Sequence, residues 1–377
     1  MIVAAWLSRP RVTPRTLWIW DTATMHTTTV VRPAPRRWGT IVKRLLLGFI
    51  LLIAIVLTCT TAYEWWAFRH YRASFPAPGR LYPVDGVNMH LYCTGTGAPT
   101  VVLESGLGDD ARVWGKVQPE LSKLTRVCSY DRAGLGWSDP RPGLRDSISV
   151  ANQLHGLLSA AGISGPVVLM GHSIAGLHMR AYLSQYPGGV TGVVFVDAVT
   201  PDQIEQMPEI TALQRRFIRQ LVWIEPLVNL GLVRLAGRCG STPPSGMEGY
   251  SEWYKADNYC NPGYAAVYRR EFEGYEISGH EVIQTGPFGN LPTLIFSRDG
   301  AGPLPAAIRA KVASVNFRLQ ESLKSLSSHS RRIIARGSTH YIQLDRADLL
   351  NREVSEFIHQ LRGDVPAPSS YGSTRAE

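Results

Sequence analysis

Short apolar runs alternate with amphipathic segments along most of the chain. The runs predict strands buried on both faces of a parallel sheet, and they are Thr100–Glu104, Val167–Met170, Val193–Val196 and Pro292–Phe296. Between them, apolar residues recur at helical spacing, as in Ile148–Ala161. Near the start of this region, Asp85 and Gly86 separate two short strand-like segments and predict a hairpin turn. With 377 residues and 45% hydrophobic content, the chain can form one large α/β domain with additions.

One apolar segment is too long for a strand. Leu45–Ala62 contains no charged residue, and at helical rise it reaches about 27 Å, close to the thickness of a bilayer core. Basic residues precede it and aromatic residues follow it, which is typical of a membrane span with its N-terminus inside the cytoplasm. A single-pass anchor is therefore expected, with the residues that follow it outside the cytoplasm. The alternative is a signal peptide cleaved after Ala62, and Met25 is an alternative start to Met1.

The formal net charge of +9 belongs mainly to the N-terminal segment. Ten of the 39 basic residues, but two of the 30 acidic residues, lie within residues 1–72. The remainder is therefore nearly neutral, and the composition does not favour nucleic acid as a partner.

A serine lies where a buried strand is predicted to turn sharply into a helix. Gly171-His-Ser173-Ile-Ala175-Gly176 follows the strand Val167–Met170. A serine at such an apex is exposed to a base, and the N-terminus of the helix behind it supplies backbone N–H groups. The pattern predicts a nucleophile, and Ala175 replaces the second glycine of G-x-S-x-G with a residue that is still small.

Together with two further blocks, this motif resembles the α/β-hydrolase superfamily. The blocks are Glu104–Gly108 and Tyr130–Asp139. The resemblance implies an α/β-hydrolase fold: a mostly parallel eight-stranded sheet with helices on both faces and a helical cap, here preceded by one transmembrane helix. It also implies an oxyanion hole formed by the backbone N–H groups of Leu107 and Ile174.

The chain order Ser173, Asp299, His340 matches the nucleophile–acid–base order of this superfamily. Asp299 follows the strand that most members use for the acid, and His340 lies in the loop after the last predicted strand. Asp197 follows the preceding strand and is the alternative acid.

A competing motif overlaps the predicted oxyanion loop. Gly106-x-Gly108-x-x-Ala111 after a strand fits a dinucleotide fingerprint, but the carboxylates of Asp109 and Asp110 would repel a pyrophosphate. No cofactor is therefore expected, and no spacing indicates a metal site.

Four cysteines follow the predicted anchor. In the sheet order of this family Cys93 and Cys128 lie on neighbouring strands, and Cys239 and Cys260 both fall in the insertion before Pro292. Two disulfides, Cys93–Cys128 and Cys239–Cys260, suit an exported domain, and buried free thiols are the alternative.

About ninety residues separate the strands at Val196 and Pro292, too many for a simple crossover. They predict helices at Ala212–Leu221, Val228–Leu235 and Trp253–Tyr275, which the resemblance assigns to a cap. The expected organisation begins with a basic cytoplasmic segment (residues 1–42), an anchor (43–66) and a linker (67–80). The hydrolase core follows in two parts (81–199 and 291–363), with the cap between them (200–290) and a disordered tail at the end (364–377).

The expected function is cleavage of small-molecule carboxylic esters through an acyl-enzyme. The alternatives are an aminopeptidase, amidase or acyltransferase on the same triad, or a catalytically silent, membrane-anchored binding module.

Overall fold

The computed structural model describes residues 37–239, 260–300, 302, 304–366 and 371–377. The chain divides into two compact units, Met1–Ile53 and Ala54–Glu377. Helix α1 (Arg37–Ser74) begins in the first unit and ends in the second. It is long and apolar enough to cross a membrane, with a mean hydropathy of 2.6 in its most apolar window. This finding rests on length and composition, and a signal sequence passes the same test.

The second unit contains a mostly parallel sheet. Its strands are β1 (Arg80–Val84), β2 (Val87–Thr94), β3 (Thr100–Glu104), β4 (Val127–Tyr130), β5 (Val167–His172), β6 (Val190–Val196), β7 (Thr293–Arg298), β8 (Ser330–Ala335) and β9 (Thr374–Ala376). Their order in the described part of the chain is β1-β2-β4-β3-β5-β6-β7-β8-β9, and the pairs β1–β2 and β2–β4 are antiparallel. Within the described residues the sheet has nine strands rather than the expected eight. The difference arises because Thr374–Ala376, in the tail predicted to be disordered, pairs parallel with β8.

Helices pack on both faces of the sheet and form the described part of the insertion between β6 and β7. They are α2 (Gln118–Leu121), α3 (Ser147–Ala160), α4 (Ala175–Gln185), α5 (Gln203–Gln206), α6 (Pro208–Asn229), α7 (Leu232–Leu235), α8 (Tyr264–Val282), α9 (Ala306–Ser322), α10 (Ile342–Asp345) and α11 (Ala347–Arg362), with 3₁₀ turns at Ala111–Trp114 and Leu323–Leu326. Along β5, Val167 and Leu169 pack into one core with α3 and α4, while Val168 and Met170 pack into a second core with α2 and α11. This alternation is the reason the central strands β3, β4 and β5 are buried throughout, and it agrees with the predicted α/β-hydrolase architecture.

The insertion between β6 and β7 is helical where it is described. The sequence predicts a break between Leu221 and Val228, but α6 runs through Pro226 to Asn229. Three aromatic residues predicted to belong to this cap, Trp253, Tyr254 and Tyr259, lie outside the described residues.

Both expected disulfides are present. Cys93 and Cys128 face each other on β2 and β4, and Cys239 is joined to Cys260 at the two ends of the undescribed part of the insertion. Among the described residues, the free cysteine is Cys59, which is exposed on α1.

Candidate active site

Ser173 lies at a tight turn between β5 and α4. Its φ of +58° is left-handed, a conformation that costs a non-glycine residue energy and is typical of a nucleophile held out of a sheet. Small neighbours permit this turn. A Cβ built on Gly171 would lie 2.7 Å from the Cβ of Ala175, and one built on Gly176 would lie 2.7 Å from that of Ala198. Ala175 therefore fits because Gly171 leaves space for its methyl group, while Gly176 allows Ala198 to approach the start of α4.

A hydrogen-bonded chain joins Ser173 to a histidine and a carboxylate. His340, which follows β8, contacts Ser173 Oγ through Nε2 at 2.9 Å and Asp197 Oδ2 through Nδ1 at 2.6 Å. Asp197 follows β6, with a φ of +42°. The carboxyl ends of β5, β6 and β8 thus bring a hydroxyl, a carboxylate and an imidazole together from positions far apart in the sequence.

The structure corrects the expected position of the acid. Asp299 is exposed after β7, and its carboxylate accepts from the N–H of Gly337 through both oxygens at 3.3 Å. Asp197 occupies the place beside His340 instead. The loop that follows β7 directs Asp299 toward the backbone after β8, whereas the left-handed turn at Asp197 directs its carboxylate at the imidazole.

The two N–H groups expected to form an oxyanion hole belong to neighbouring loops. Ile174 immediately follows Ser173 at the start of α4, and Leu107 lies in the turn after β3. Within the described ranges, neither of these N–H groups has a backbone partner. Both residues therefore have a donor available for a ligand.

Residues 99–226 match a sequence model of the α/β-hydrolase fold, and solved α/β structures superpose on three quarters of the chain. The chain has the α/β-hydrolase fold. Among the described residues of this α/β-hydrolase, no three His, Cys, Asp or Glu side chains are grouped as metal ligands would be.

Three similar proteins illustrate the extent of the likeness. An uncharacterized protein of Schizosaccharomyces pombe is 29% identical over 218 residues, which are 49% of this chain and 40% of that protein. A 2-hydroxy-6-oxo-2,4-heptadienoate hydrolase of Pseudomonas putida is 32% identical over 125 residues, 32% of this chain and 45% of that enzyme. A thermophilic esterase from Thermogutta terrifontis shares the fold, with a TM-score of 0.55 at 18% identity over 75% of this chain and 98% of that one. The chain spans less than half the length of both curated relatives.

The charges around the histidine favour an ionised Asp197. Burial alone would raise the pKa of Asp197, but the Arg298 guanidinium at 3.3 Å and the hydrogen bond from His340 outweigh it and hold the pKa at about 2. Next to the serine, burial and the charge of His340 lower the pKa of His172 well below its usual value. His172 is therefore neutral at pH 7, and its Nε2 lies 2.9 Å from the backbone oxygen of His340.

The loop that carries Leu107 is held by a buried ion pair that the sequence analysis did not predict. Arg132 donates to the backbone oxygens of Ser105 and Gly106 at 2.7 and 2.6 Å. It also donates to Glu271 at 2.7 and 3.0 Å, and Glu271 Oε2 accepts from the N–H of Gly108 at 2.8 Å. These bonds fix the peptide groups on both sides of Leu107. Glu271 belongs to α8, so a cap residue helps to orient the expected oxyanion loop.

No sequence signal distinguishes Glu271 from its neighbours. Glu273 and Glu276 lie on the same helix, where Glu273 is exposed and Glu276 is half-buried, whereas Glu271 is buried. The distinction depends on which side of α8 faces the core, and that is fixed by packing rather than by residue type.

A cavity of about 280 Å³ lies beside this loop. Its lining includes Leu107, Asp109, Leu221, Tyr264, Tyr268 and Tyr341. Burial and the neighbouring Asp110 raise the pKa of Asp109 to about 7, so this carboxyl is partly protonated at neutral pH. The cavity offers a ligand aromatic and aliphatic side chains together with the weakly acidic Asp109 and a second carboxylate, Glu225.

Proposed function

We propose that this α/β-hydrolase is a serine hydrolase that cleaves carboxylic esters through an acyl-enzyme, with Ser173 as nucleophile, His340 as base and Asp197 as acid. The observation that carries the proposal is the unbroken hydrogen-bonded chain from Ser173 Oγ through both ring nitrogens of His340 to Asp197. A serine hydroxyl needs such a base, and the base needs a carboxylate to fix its tautomer.

In the first half of the reaction, Ser173 Oγ attacks the ester carbonyl as its proton passes to Nε2 of His340. The N–H groups of Leu107 and Ile174 donate to the oxygen that becomes negative. Asp197 stabilises the imidazolium without taking its proton. When the tetrahedral intermediate collapses, His340 returns the proton to the alcohol oxygen, the carbon–oxygen bond breaks, and the acyl group stays on Ser173.

In the second half, water takes the place of the alcohol. His340 removes a proton from the water, the hydroxide adds to the acyl carbon, and the same two N–H groups hold the oxyanion. Collapse releases the carboxylic acid and returns the proton to Ser173. The cavity beside Leu107 accommodates an apolar portion of the ester, and the likeness to a solved esterase supports this choice of substrate class.

We further propose that the chain is anchored in a membrane by Leu45–Ala62, with the hydrolase unit outside the cytoplasm. The hydropathy of α1 supports an anchor. Disulfides persist mainly in oxidising compartments, so the two bridges support an exported unit.

The serine assignment is tested with a fluorescent fluorophosphonate on the full chain. We expect wild type to be labelled and Ser173→Ala to be unlabelled. Ser184→Ala, an exposed serine on the same helix α4, is the matched control and should be labelled like wild type. Equal labelling of wild type and Ser173→Ala would refute the nucleophile, and faster turnover of aminoacyl amides than of p-nitrophenyl esters would refute the ester preference.

A further inference from the structure

Helix α6 has an apolar face that points away from the core. Five of its exposed apolar side chains lie on one side of the helix, and a leucine of α7 is also exposed. We call this set the outer cap face; its members, with exposed fractions, are Leu213 (46%), Phe217 (47%), Trp223 (78%), Ile224 (40%), Leu227 (44%) and Leu235 (68%). Contiguous exposed apolar side chains of this size are unusual on a surface that faces water and indicate a contact with something else.

Positive charge flanks the outer cap face. Arg216 and Arg219 are exposed on α6, and Arg238 is exposed just after α7. A helix with Trp, Phe and Leu on one side and arginines beside them is typical of segments that lie in the interface of a bilayer with anionic lipids.

The end of the predicted membrane span contacts this part of the cap. A Cβ built on Gly231, between α6 and α7, would lie 2.5 Å from the backbone oxygen of Thr60. Arg234 of α7 binds Glu64 through two nitrogens at 2.7 and 2.8 Å, and the Glu64 side chain is fully buried. Glu64 is two residues, or about 3 Å of helix, beyond Ala62, where the apolar segment ends. If that segment is inserted, α7 therefore lies at the edge of the bilayer.

The same face forms a wall of the cavity. Phe217 and Ile224 line the cavity and also belong to the outer cap face. The outer cap face therefore reaches the cavity through these two apolar side chains.

We propose that the outer cap face docks on the surface of a lipid bilayer and that the cavity behind it takes a lipophilic ester from that bilayer. Docking follows from the contacts of Thr60 and Glu64 and from the exposed apolar side chains. The choice of an ester rests on the proposed hydrolase activity, and the docking rests on the proposed membrane anchor.

Docking is tested on the full chain in vesicles of phosphatidylcholine and phosphatidylglycerol. Cys59, the free cysteine of the described residues, is replaced in Cys59→Ala. Trp223→Cys is then labelled with bimane, and Leu144→Cys, which is 53% exposed outside the cap, is the matched control. We expect doxyl-labelled phosphatidylcholine to quench the probe at position 223 at least about twofold more strongly than the probe at position 144. Equal quenching would overturn the docking proposal.

Delivery of the substrate is tested by kinetics. Neither Trp223 nor Leu227 lines the cavity, so Trp223→Ser with Leu227→Ser should leave turnover of soluble p-nitrophenyl acetate unchanged. We expect the same variant to raise the KM for p-nitrophenyl palmitate in vesicles by about tenfold, because two apolar contacts with lipid are lost. An unchanged KM would overturn delivery from the bilayer. Strong quenching without turnover of any ester would refute the proposed hydrolase activity but support the docking. Turnover of esters without stronger quenching at position 223 would support the hydrolase activity but refute the docking.

Discussion

The sharpest test of the site is a comparison of Asp197→Asn with Asp299→Asn. Both substitutions replace a carboxylate by an amide of the same shape after adjacent strands of the sheet. Asp197 lies 2.6 Å from His340 Nδ1, whereas Asp299 is exposed and accepts from the backbone of Gly337. From these contacts we expect the two variants to differ in activity by orders of magnitude.

The expected loss of activity follows from the tautomer of His340. A carboxylate at position 197 keeps the proton on Nδ1 and leaves Nε2 free to accept from Ser173. An asparagine can donate to Nδ1 and so place the proton on the wrong nitrogen, which in serine hydrolases lowers kcat by about 10⁴-fold. For Asp299→Asn we expect less than about a threefold change, since an exposed amide can still accept from Gly337.

Asp197 should also contribute to stability, with a defined dependence on pH. Its pKa in the folded protein is about 2, below the value of 3.8 for an unperturbed aspartate. The folded state therefore favours the ionised form by about 2 kcal/mol, a contribution that is fully present above pH 4 and is lost as the pH falls through the folded pKa. Asp197→Asn removes the contribution at pH 7 and leaves the Arg298 guanidinium without its carboxylate.

The measurements are kcat and KM on p-nitrophenyl butyrate, and the free energy of unfolding in urea at pH 7 and pH 3. A variant Asp299→Asn that loses activity while Asp197→Asn keeps it would refute the assignment of the acid. Equal stability of wild type and Asp197→Asn at pH 7 would refute the electrostatic reasoning alone.

Two further pairs of variants test the loops around Ser173. Glu271→Gln should lower kcat about tenfold with little change in KM and cost about 3 kcal/mol of unfolding free energy, because it weakens a buried ion pair that fixes the expected oxyanion loop. Glu273→Gln, exposed on the same helix and paired with Arg269, should match wild type in both assays, and similar losses in the two variants would contradict the role of Glu271. Gly171→Ala should lower the free energy of unfolding by about 1 to 3 kcal/mol, because its Cβ would meet that of Ala175 at 2.7 Å. Adding Ala175→Gly to this variant should recover part of the loss. Gly165→Ala is the control, since the space around Gly165 is open, and its free energy of unfolding from thermal melts should lie within about 0.5 kcal/mol of that of wild type. A Gly171→Ala variant as stable as Gly165→Ala would contradict the packing argument.

The sequence was sufficient for the central strands and for the turn at Ser173. Buried runs such as Val167–Met170 have one plausible conformation in a parallel sheet, and the small residues around Ser173 leave space for one kind of turn. The hairpin at Asp85 and Gly86 was predictable for a similar reason, since both residues have positive φ in the turn that joins β1 to β2. Local chemistry decides each of these features.

The choice between Asp197 and Asp299 could not be made from local chemistry. Both follow parallel strands, at the same edge of the sheet, and both are compatible with the order of the other site residues. They differ in the backbone conformation directly after each strand, which is left-handed at Asp197, and in the position of Arg298 next to Asp197. Such a difference depends on how β6, β7 and β8 pack, and a single sequence does not carry that information.

The role of the cap also depends on packing between elements that are distant in the sequence. An insertion over a catalytic serine is usually regarded as a cover that controls access, yet here it supplies Glu271 to the core. Arg132 is buried, and its two hydrogen bonds to Glu271 compensate a charge that would otherwise be costly to remove from water. The same carboxylate holds the N–H of Gly108, one residue from Leu107. Because the Glu271 carboxylate both pairs with Arg132 and holds the N–H of Gly108, the position of α8 and the orientation of the Leu107 N–H are coupled, and α8 acts as part of the core that fixes the expected oxyanion loop.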